Sequence, residues 1–480
     1  MAENLKKKTV VGTIWASIQH FGKMGISLIS NIVLARLLMP EDYGTIGMLT
    51  IFISVSMVFI DSGLGNALIQ KTKVTEEDNS TIFFFNLLMS VLLYLILYCF
   101  APMIARFYDT EILCRMLRIY GLVLIINSLS IIQTVRLRKQ LKFKTLTITS
   151  LIAVIVSTVI GIYMAFKGFG AWTLVYMNLI DNIVRSSLLW MQCKWLPKMT
   201  FSFSSLKSLF GFGGYLLANS LLFTFRRNVL SVVLGKLYSA RDLGMYTQAK
   251  KLEDIPVSGI SAVVEQVSFP VFSKLKDDDE RYRHMQRKSL ITLGFMCIPL
   301  MFLIMVIAKP VIVFLYTEKW IDAVPYLQVL CFMGIFVALQ KVNANVVNAK
   351  GYSGLYFKWS VIKTIIMFAL IWIGHFWGII GMMAALVVFH FTVYVINAVL
   401  ASRFTHYTLW QQVKDLFPIM LSSSVIAIAV WLIHYIIHNN FALLITQSVI
   451  YIGLFLGVYY IFDRKTLTEM LSLLKLKNKK

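Results

Sequence analysis

The chain has 480 residues, of which 58% are hydrophobic and 14% charged, with a mean hydropathy of +0.74 and a formal net charge of +23. That balance leaves too little polar residue to cover a globule of this length with water-facing surface, so composition excludes a soluble fold and indicates an all-α polytopic membrane protein. The charge does not indicate nucleic acid, because the basic residues sit between apolar runs instead of gathering on a soluble patch.

Lys6, Lys7 and Lys8 precede an apolar stretch that lacks a small-residue cleavage site, which is the pattern of an uncleaved first span. Windows of about 20 apolar residues, separated by short polar breaks, give roughly fourteen transmembrane helices. Their centres fall near Leu28, Val55, Leu92, Ile125, Val156, Val175, Leu222, Gly259, Met301, Phe332, Phe368, Val388, Ile428 and Gly453. The eighth carries Lys250, Lys251, Glu253, Asp254 and Glu265 and is the least apolar. Its assignment rests on a repeat and on loop charge. Starting from the lysines at the N-terminus, every second loop is basic, including those around Lys71, Lys142, Lys198, Lys288 and Lys414 and the tail after Arg464. The intervening loops are poor in Lys and Arg, so both termini are expected in the cytoplasm, with the eighth segment crossing.

The repeat lies at the turn after the first helix. Val33, Leu34, Leu37, Asp42 and Gly44 recur as Val233, Leu234, Leu237, Asp242 and Gly244, with Arg36 matched by Lys236. A duplicated two-helix unit in an apolar chain indicates a transporter built from repeated halves.

The turn Leu34 Ala35 Arg36 Leu37 Leu38 Met39 Pro40 Glu41 Asp42 Tyr43 Gly44, followed by Asp61 Ser62 Gly63 Leu64 Gly65 Asn66 Ala67 Leu68 Ile69 Gln70, resembles the Wzx-type polysaccharide flippases, nearest the colanic acid exporter branch. These belong to the multidrug/oligosaccharidyl-lipid/polysaccharide exporter superfamily, and the resemblance covers essentially the whole chain. It implies two pseudo-symmetric six-helix lobes around a central cavity, plus two C-terminal helices. The lobes map to 9–193 and 205–403, the helix pair to 414–463, and a basic cytoplasmic tail to 464–480. It also implies alternating access that moves an undecaprenyl-diphosphate-linked oligosaccharide from the cytoplasmic to the periplasmic leaflet of a bacterial inner membrane. Polysaccharide polymerase machinery is a candidate partner. No motif here fixes which glycan is carried.

Polar residues within a span are costly on a lipid face and usually point into the bundle or a hydrated cavity. His20, Lys23, Ser27 and Asn31 are spaced three or four apart and share one face of the first helix. Ser220, Thr224, Arg227 and Ser231 occupy the corresponding face of the seventh, with Arg226 and Asn228 at its edges. Lys23, Arg226 and Arg227 are therefore the expected cations for a diphosphate or acidic sugar, the alternative being snorkelling or helix packing. Lys341 and Lys363 are further cavity candidates, and Asn343 is a candidate for sugar hydroxyls or for a bond across helices. Asp61, Asp254 and Glu265 are candidates for coupling to H⁺ or Na⁺. For Asp254, pairing with Lys250 four residues away competes with that role; for Asp61 and Glu265 a solvated acid or a packing contact does. Asp181 and Arg185 have the spacing of a structural ion pair.

The five cysteines are far apart and form no CxxC pair, and His434 with His438 lack a third ligand, so no metal site is expected. No GxSxG, Walker or HExxH sequence is present and the outer loops are short, which argues against an enzyme. Two alternatives to the flippase stand beside it. A cation-coupled multidrug exporter should favour acidic or apolar cavity walls, and a membrane polysaccharide polymerase or ligase should carry a sizeable periplasmic loop.

Overall fold

The computed structural model of the protein describes residues 2–274, 279–349, 353–464 and 466–468, apart from the side chains of 2–10, 210–216, 263, 265–271, 273–274 and 353–358. Most of the expected basic tail lies outside the described residues. The first half comprises α1 (Ala2–Leu37), α2 (Pro40–Asp61), α3 (Leu64–Gln70), α4 (Glu76–Phe107), α5 (Ile112–Tyr120), α6 (Leu122–Lys139), α7 (Phe143–Phe166), α8 (Trp172–Cys193) and α9 (Phe203–Leu237). There follow α10 (Ala240–Lys274), α11 (Asp279–Val306), α12 (Ala308–Tyr316), α13 (Val324–Ala349), α14 (Ser353–His375), α15 (Gly378–Thr405), α16 (Leu409–Trp431) and α17 (Asn440–Phe462). No strand occurs among the described residues. With no water in a bilayer core to bond exposed backbone, a chain of this composition satisfies its N–H and C=O groups within helices.

Each of the fourteen expected centres falls within one of the longer helices. Among the described residues, nine helical stretches are long and apolar enough to cross a membrane, and α14 adds a shorter apolar stretch, Trp359–His375. The long helices outside that set are α1, α8, α9 and α10, which carry Lys23, the Asp181–Arg185 pair, Arg226 with Arg227, and the charged run from Lys250 to Asp254. At 1.5 Å per residue the 35 residues of α10 still reach about 50 Å, well beyond a hydrocarbon core of about 30 Å.

The chain divides into two compact units, residues 1–247 and 248–480. In the first, α1 packs along α7, where Gln19 Nε2 donates to Ser150 Oγ at 2.9 Å and Thr147 Oγ1 donates to the Trp15 carbonyl at 2.9 Å. Small polar residues join α4 to α6, with Ser90 and Ser128 hydroxyls 3.0 Å apart in the interior. Loops expected on the cytoplasmic side are tied to the start of α4. Lys71 pairs with Asp78 at 2.8 Å, and Glu76 accepts from Arg136 at 2.8 Å and from Trp195 Nε1 at 2.7 Å. The segment leading to α9 is bound there too, Lys198 and Ser202 each donating a backbone N–H to Ser80 and Thr81 hydroxyls at 3.0 Å.

The duplicated turn has a physical reason at each recurring position. Pro40 stops α1 and occupies the first turn of α2, where its missing N–H costs nothing. The Asp42 carboxylate reaches back to accept the Met39 N–H at 2.8 Å, and Asp242 does the same for Ser239 at 3.3 Å, while the Ser239 hydroxyl caps the Asp242 N–H at 3.0 Å. Leu34 and Leu234 are both fully buried. Gly44 and Gly244 recur because the starts of α2 and α10 cross with their backbones touching. A Cβ on Gly44 would collide with the Ala240 carbonyl oxygen, and one on Gly244 with that of Pro40. Both halves of this reciprocal contact belong to the first unit.

α9 also packs on α2, α3 and α4, so the first compact unit, to residue 247, runs beyond 193, where the resemblance and the loops end the first lobe. In the second unit α13 packs against α11 and α15, and α16 docks on α11. Arg287 grips the Asp415 carboxylate through Nε and Nη2 at 2.7 Å each, and the Tyr407 hydroxyl donates to the same carboxylate at 2.6 Å. This ties the C-terminal helix pair to α11.

The crossing of α2 and α10 leaves no room for a methyl, so Gly44→Ala should destabilise the protein by about 1–3 kcal/mol or more. Gly25→Ala, where a Cβ meets nothing within 4 Å, is the control and should leave the melting temperature in detergent unchanged.

Candidate functional site

The helical spacing on α1 places its polar residues as a stripe of mixed exposure. His20 and Ser27 are exposed, whereas Lys23 and Asn31 are half-buried; the His20 ring stands edge-on to Phe21, with centroids 5.2 Å apart. Lys23 lies within electrostatic reach of Asp181 and Arg185 on α8, which bond each other as their spacing predicts. The first stripe therefore contains a half-buried cation set beside an ion pair, between exposed His20 and Ser27. On α9, Ser220 and Arg227 are exposed, and Thr224 and Arg226 are half-buried. Asn228 Nδ2 donates to the Thr224 carbonyl at 2.8 Å, a bond within the helix. Of the two arginines, Arg227 is the more exposed, and a guanidinium can bond two oxygens of a phosphate at once.

The cations expected in the second unit divide. Lys341 on α13 is half-buried and lines a small cavity of about 10 Å³, with room for about one water molecule, together with Asn345 and Ser261. Lys363 is only 4% exposed, and its ammonium donates to Asn397 Oδ1 at 2.8 Å between α14 and α15. Asn343 is fully buried. It accepts from Gln286 Nε2 at 2.7 Å and donates to Gln412 Oε1 at 2.9 Å, and the Tyr394 hydroxyl donates to that same oxygen at 3.1 Å. This network joins α11, α13, α15 and α16. The sequence spacing suggests a cavity wall for Asn343 and Lys363, but both lie in the packed interior, where each is held by a helix neighbour.

The expected acids also separate. The Asp61 carboxylate lies against Gly65 in the first turn of α3, where a Cβ would meet its Oδ1 at 2.9 Å. Asp254 pairs with Lys250 at 3.0 Å as its spacing predicts. The Glu265 side chain lies outside the described residues.

Glu253 is the acid that sequence reasoning missed. It is 0% exposed, one of its carboxylate oxygens is bonded by Lys250, and Lys341 is within electrostatic reach. Tyr246, Ala249, Glu253 and Val257 recur at helical spacing and are all buried. A carboxylate interrupting that apolar face was the available signal.

A protein-family profile described as "Polysaccharide biosynthesis protein" matches residues 33–325. The teichuronic acid biosynthesis protein TuaB of Bacillus subtilis is 28% identical over 361 residues, covering 74% of each chain. The lipopolysaccharide biosynthesis protein WzxC of Escherichia coli is 23% identical over 373 residues, covering 77% of this chain and 76% of the relative. A solved structure titled as the lipid II flippase MurJ in an inward closed conformation matches with a TM-score of 0.76 at 19% identity, over 94% of this chain and 99% of its own. At that identity the similarity is one of fold.

Removing Asn343 would leave Gln286 Nε2 without its buried acceptor, while Gln412 Oε1 keeps the Tyr394 hydroxyl. Asn343→Ala should therefore lower stability by about 1–3 kcal/mol for each polar group left unsatisfied, measured as unfolding in detergent. If the variant melts with the wild type, the network does not hold α11, α13 and α16 together.

Proposed function

We propose a transport function on the premise that this chain belongs to the family of polysaccharide biosynthesis proteins. The protein is a multi-pass membrane protein, and the reading is of a flippase rather than an enzyme. It carries an undecaprenyl-diphosphate-linked oligosaccharide from the cytoplasmic to the periplasmic leaflet of a bacterial inner membrane, with both termini in the cytoplasm. Relatives named for teichuronic acid and lipopolysaccharide biosynthesis, and a fold shared with a lipid II flippase, support a lipid-linked saccharide as cargo.

The observation that carries the reading is the placement of cations on long helices. Lys23 on α1 and Arg226 and Arg227 on α9 sit where apolar residues would be cheaper, and a diphosphate is the part of such a cargo that needs positive charge in a low-dielectric setting. Arg227 would clasp two phosphate oxygens and Lys23 would act as a compact charge, while His20, Ser27, Asn31, Ser220 and Thr224 offer hydrogen bonds to sugar hydroxyls. In the second unit Lys341 is a cation expected for this role from the sequence, and it lines a cavity with room for about one water. The same cations disfavour the cationic cargo of a multidrug exporter. Alternating access of two lobes, at 9–193 and 205–403, is the corresponding mechanism, with polysaccharide polymerase machinery taking the delivered lipid. No nucleotide-binding sequence occurs in the chain, so accumulation would draw on an H⁺ or Na⁺ gradient or on consumption of the delivered lipid.

The test is translocation of a diphosphate-linked oligosaccharide lipid across proteoliposomes containing the purified protein. Wild type should translocate. Arg227→Gln, which keeps shape and removes charge, should lose about tenfold or more in rate, and Lys23→Ala a comparable amount, if each charge-assisted bond contributes about 1.5–3 kcal/mol. Unchanged translocation by both folded variants would sink the assignment of these cations to the cargo.

A further inference from the structure

The second unit contains a carboxylate with no use in holding an anionic cargo. Glu253 on α10 is completely buried, Lys250 one turn earlier bonds Oε2, and among the described residues Oε1 has no hydrogen-bond partner. That oxygen is turned against α13 at Gly334, where a Cβ would collide with it. A glycine is required there for the carboxylate to fit.

The charged and titratable groups around it come from three helices. Lys250 and Asp254 share α10, Lys341 faces it from α13, and the thiols of Cys331 on α13 and Cys297 on α11 lie within electrostatic reach. With all four charged groups ionised the cluster is neutral. The thiols give it little hydration. A half-satisfied carboxylate in such a setting is costly, and neutralising it by a proton removes that cost. The arrangement suits a proton better than a metal cation, because two ammonium groups repel a cation and only one carboxylate oxygen lacks a partner among the described residues.

Room for a water molecule lies beside the cluster. The water-sized cavity lined by Lys341, Asn345 and Ser261 adjoins this cluster through Lys341, and the Ser261 hydroxyl is buried with no hydrogen-bond partner among the described residues. A water there would find polar partners in all three side chains.

We propose that Glu253 is a proton-binding site of the transport cycle, with Lys250 and Lys341 as its counter-charges and the Lys341–Asn345–Ser261 cavity as its access to water. When Glu253 takes a proton at Oε1, Oε2 still accepts from Lys250 but the ion pair is lost, and Asp254, at 3.0 Å along the same helix, is the charged partner that Lys250 keeps. When the proton leaves, the Lys250–Glu253 ion pair reforms. The step forms one O–H bond at the carboxylate and breaks it again, with the proton coming from and returning to water. This inference rests on the transport reading, and its test separates the two.

The first arm does not depend on cargo. Infrared difference spectra of the purified full-length protein, titrated through neutral pH, should show a protonated carboxyl band that is absent in Glu253→Gln and shifted but present in Glu253→Asp. A band identical in Glu253→Gln and wild type overturns the proposal. The second arm uses proteoliposomes and a diphosphate-linked oligosaccharide lipid under an imposed pH difference. One proton per turnover lets each pH unit sustain a leaflet ratio of about tenfold, reversing when the gradient is reversed. Glu253→Gln should lose that bias, and Glu253→Asp should retain part of it. Wild type that translocates the lipid with no response to the pH difference, or a Glu253→Gln variant that keeps the full bias, overturns the coupling role and leaves the flippase reading in place. Failure of wild type to translocate at all counts against the flippase reading, and the infrared arm still decides the proton site.

Discussion

A bilayer core contains no water, so a polar group placed there must find a partner inside the protein, border a hydrated space or lose its charge. That constraint sorts the polar residues of this chain by role. Ser90 and Ser128 satisfy each other, Asn343 is held between Gln286 and Gln412, and Lys363 is bonded to Asn397. These groups hold helices together. Arg227, His20 and Ser27 are exposed on long helices, and the proposed function assigns them to a polar cargo. Glu253 belongs to neither set, since it is buried yet only half bonded.

The duplicated turn serves the same economy. Each copy turns a carboxylate, Asp42 or Asp242, back to accept the N–H of the residue just before its helix, Met39 or Ser239, so that this N–H is not left bare. Each also places a glycine where the two helix starts cross, and the backbone of one fits against the other because neither carries a side chain. Two copies of one short sequence thus generate a reciprocal contact. Between them Arg241 and Glu41 stand 4.0 Å apart with both side chains about half exposed, too open to contribute much to its strength.

Much of this was legible in the sequence because bilayer length and helical period are strong signals. The centres of the apolar windows all fall within long helices, the eighth segment is a helix despite its charges, and the Asp181–Arg185 and Lys250–Asp254 pairs form at the spacing that predicts them. What spacing does not reveal is which neighbour covers a helical face. Asn343 and Asn345 are two residues apart on α13 and point differently, one into a closed network and the other into a water-sized cavity. Lys363 reads as a cavity cation until Asn397 is placed beside it from α15. Glu253 was hidden by its neighbour Asp254, which offered the simpler i, i+4 pairing with Lys250 and drew attention from the apolar face.

The central claim is that the intramembrane cations exist to bind a diphosphate. The most direct measurement is headgroup selectivity in proteoliposomes, with one glycan and one polyprenyl chain joined through a diphosphate, a monophosphate or an uncharged linkage. The account predicts that the diphosphate-linked lipid crosses fastest, the monophosphate more slowly and the uncharged one slowest. Equal rates for all three would show that the protein does not recognise the charge, and would contradict the role given to Lys23 and Arg227.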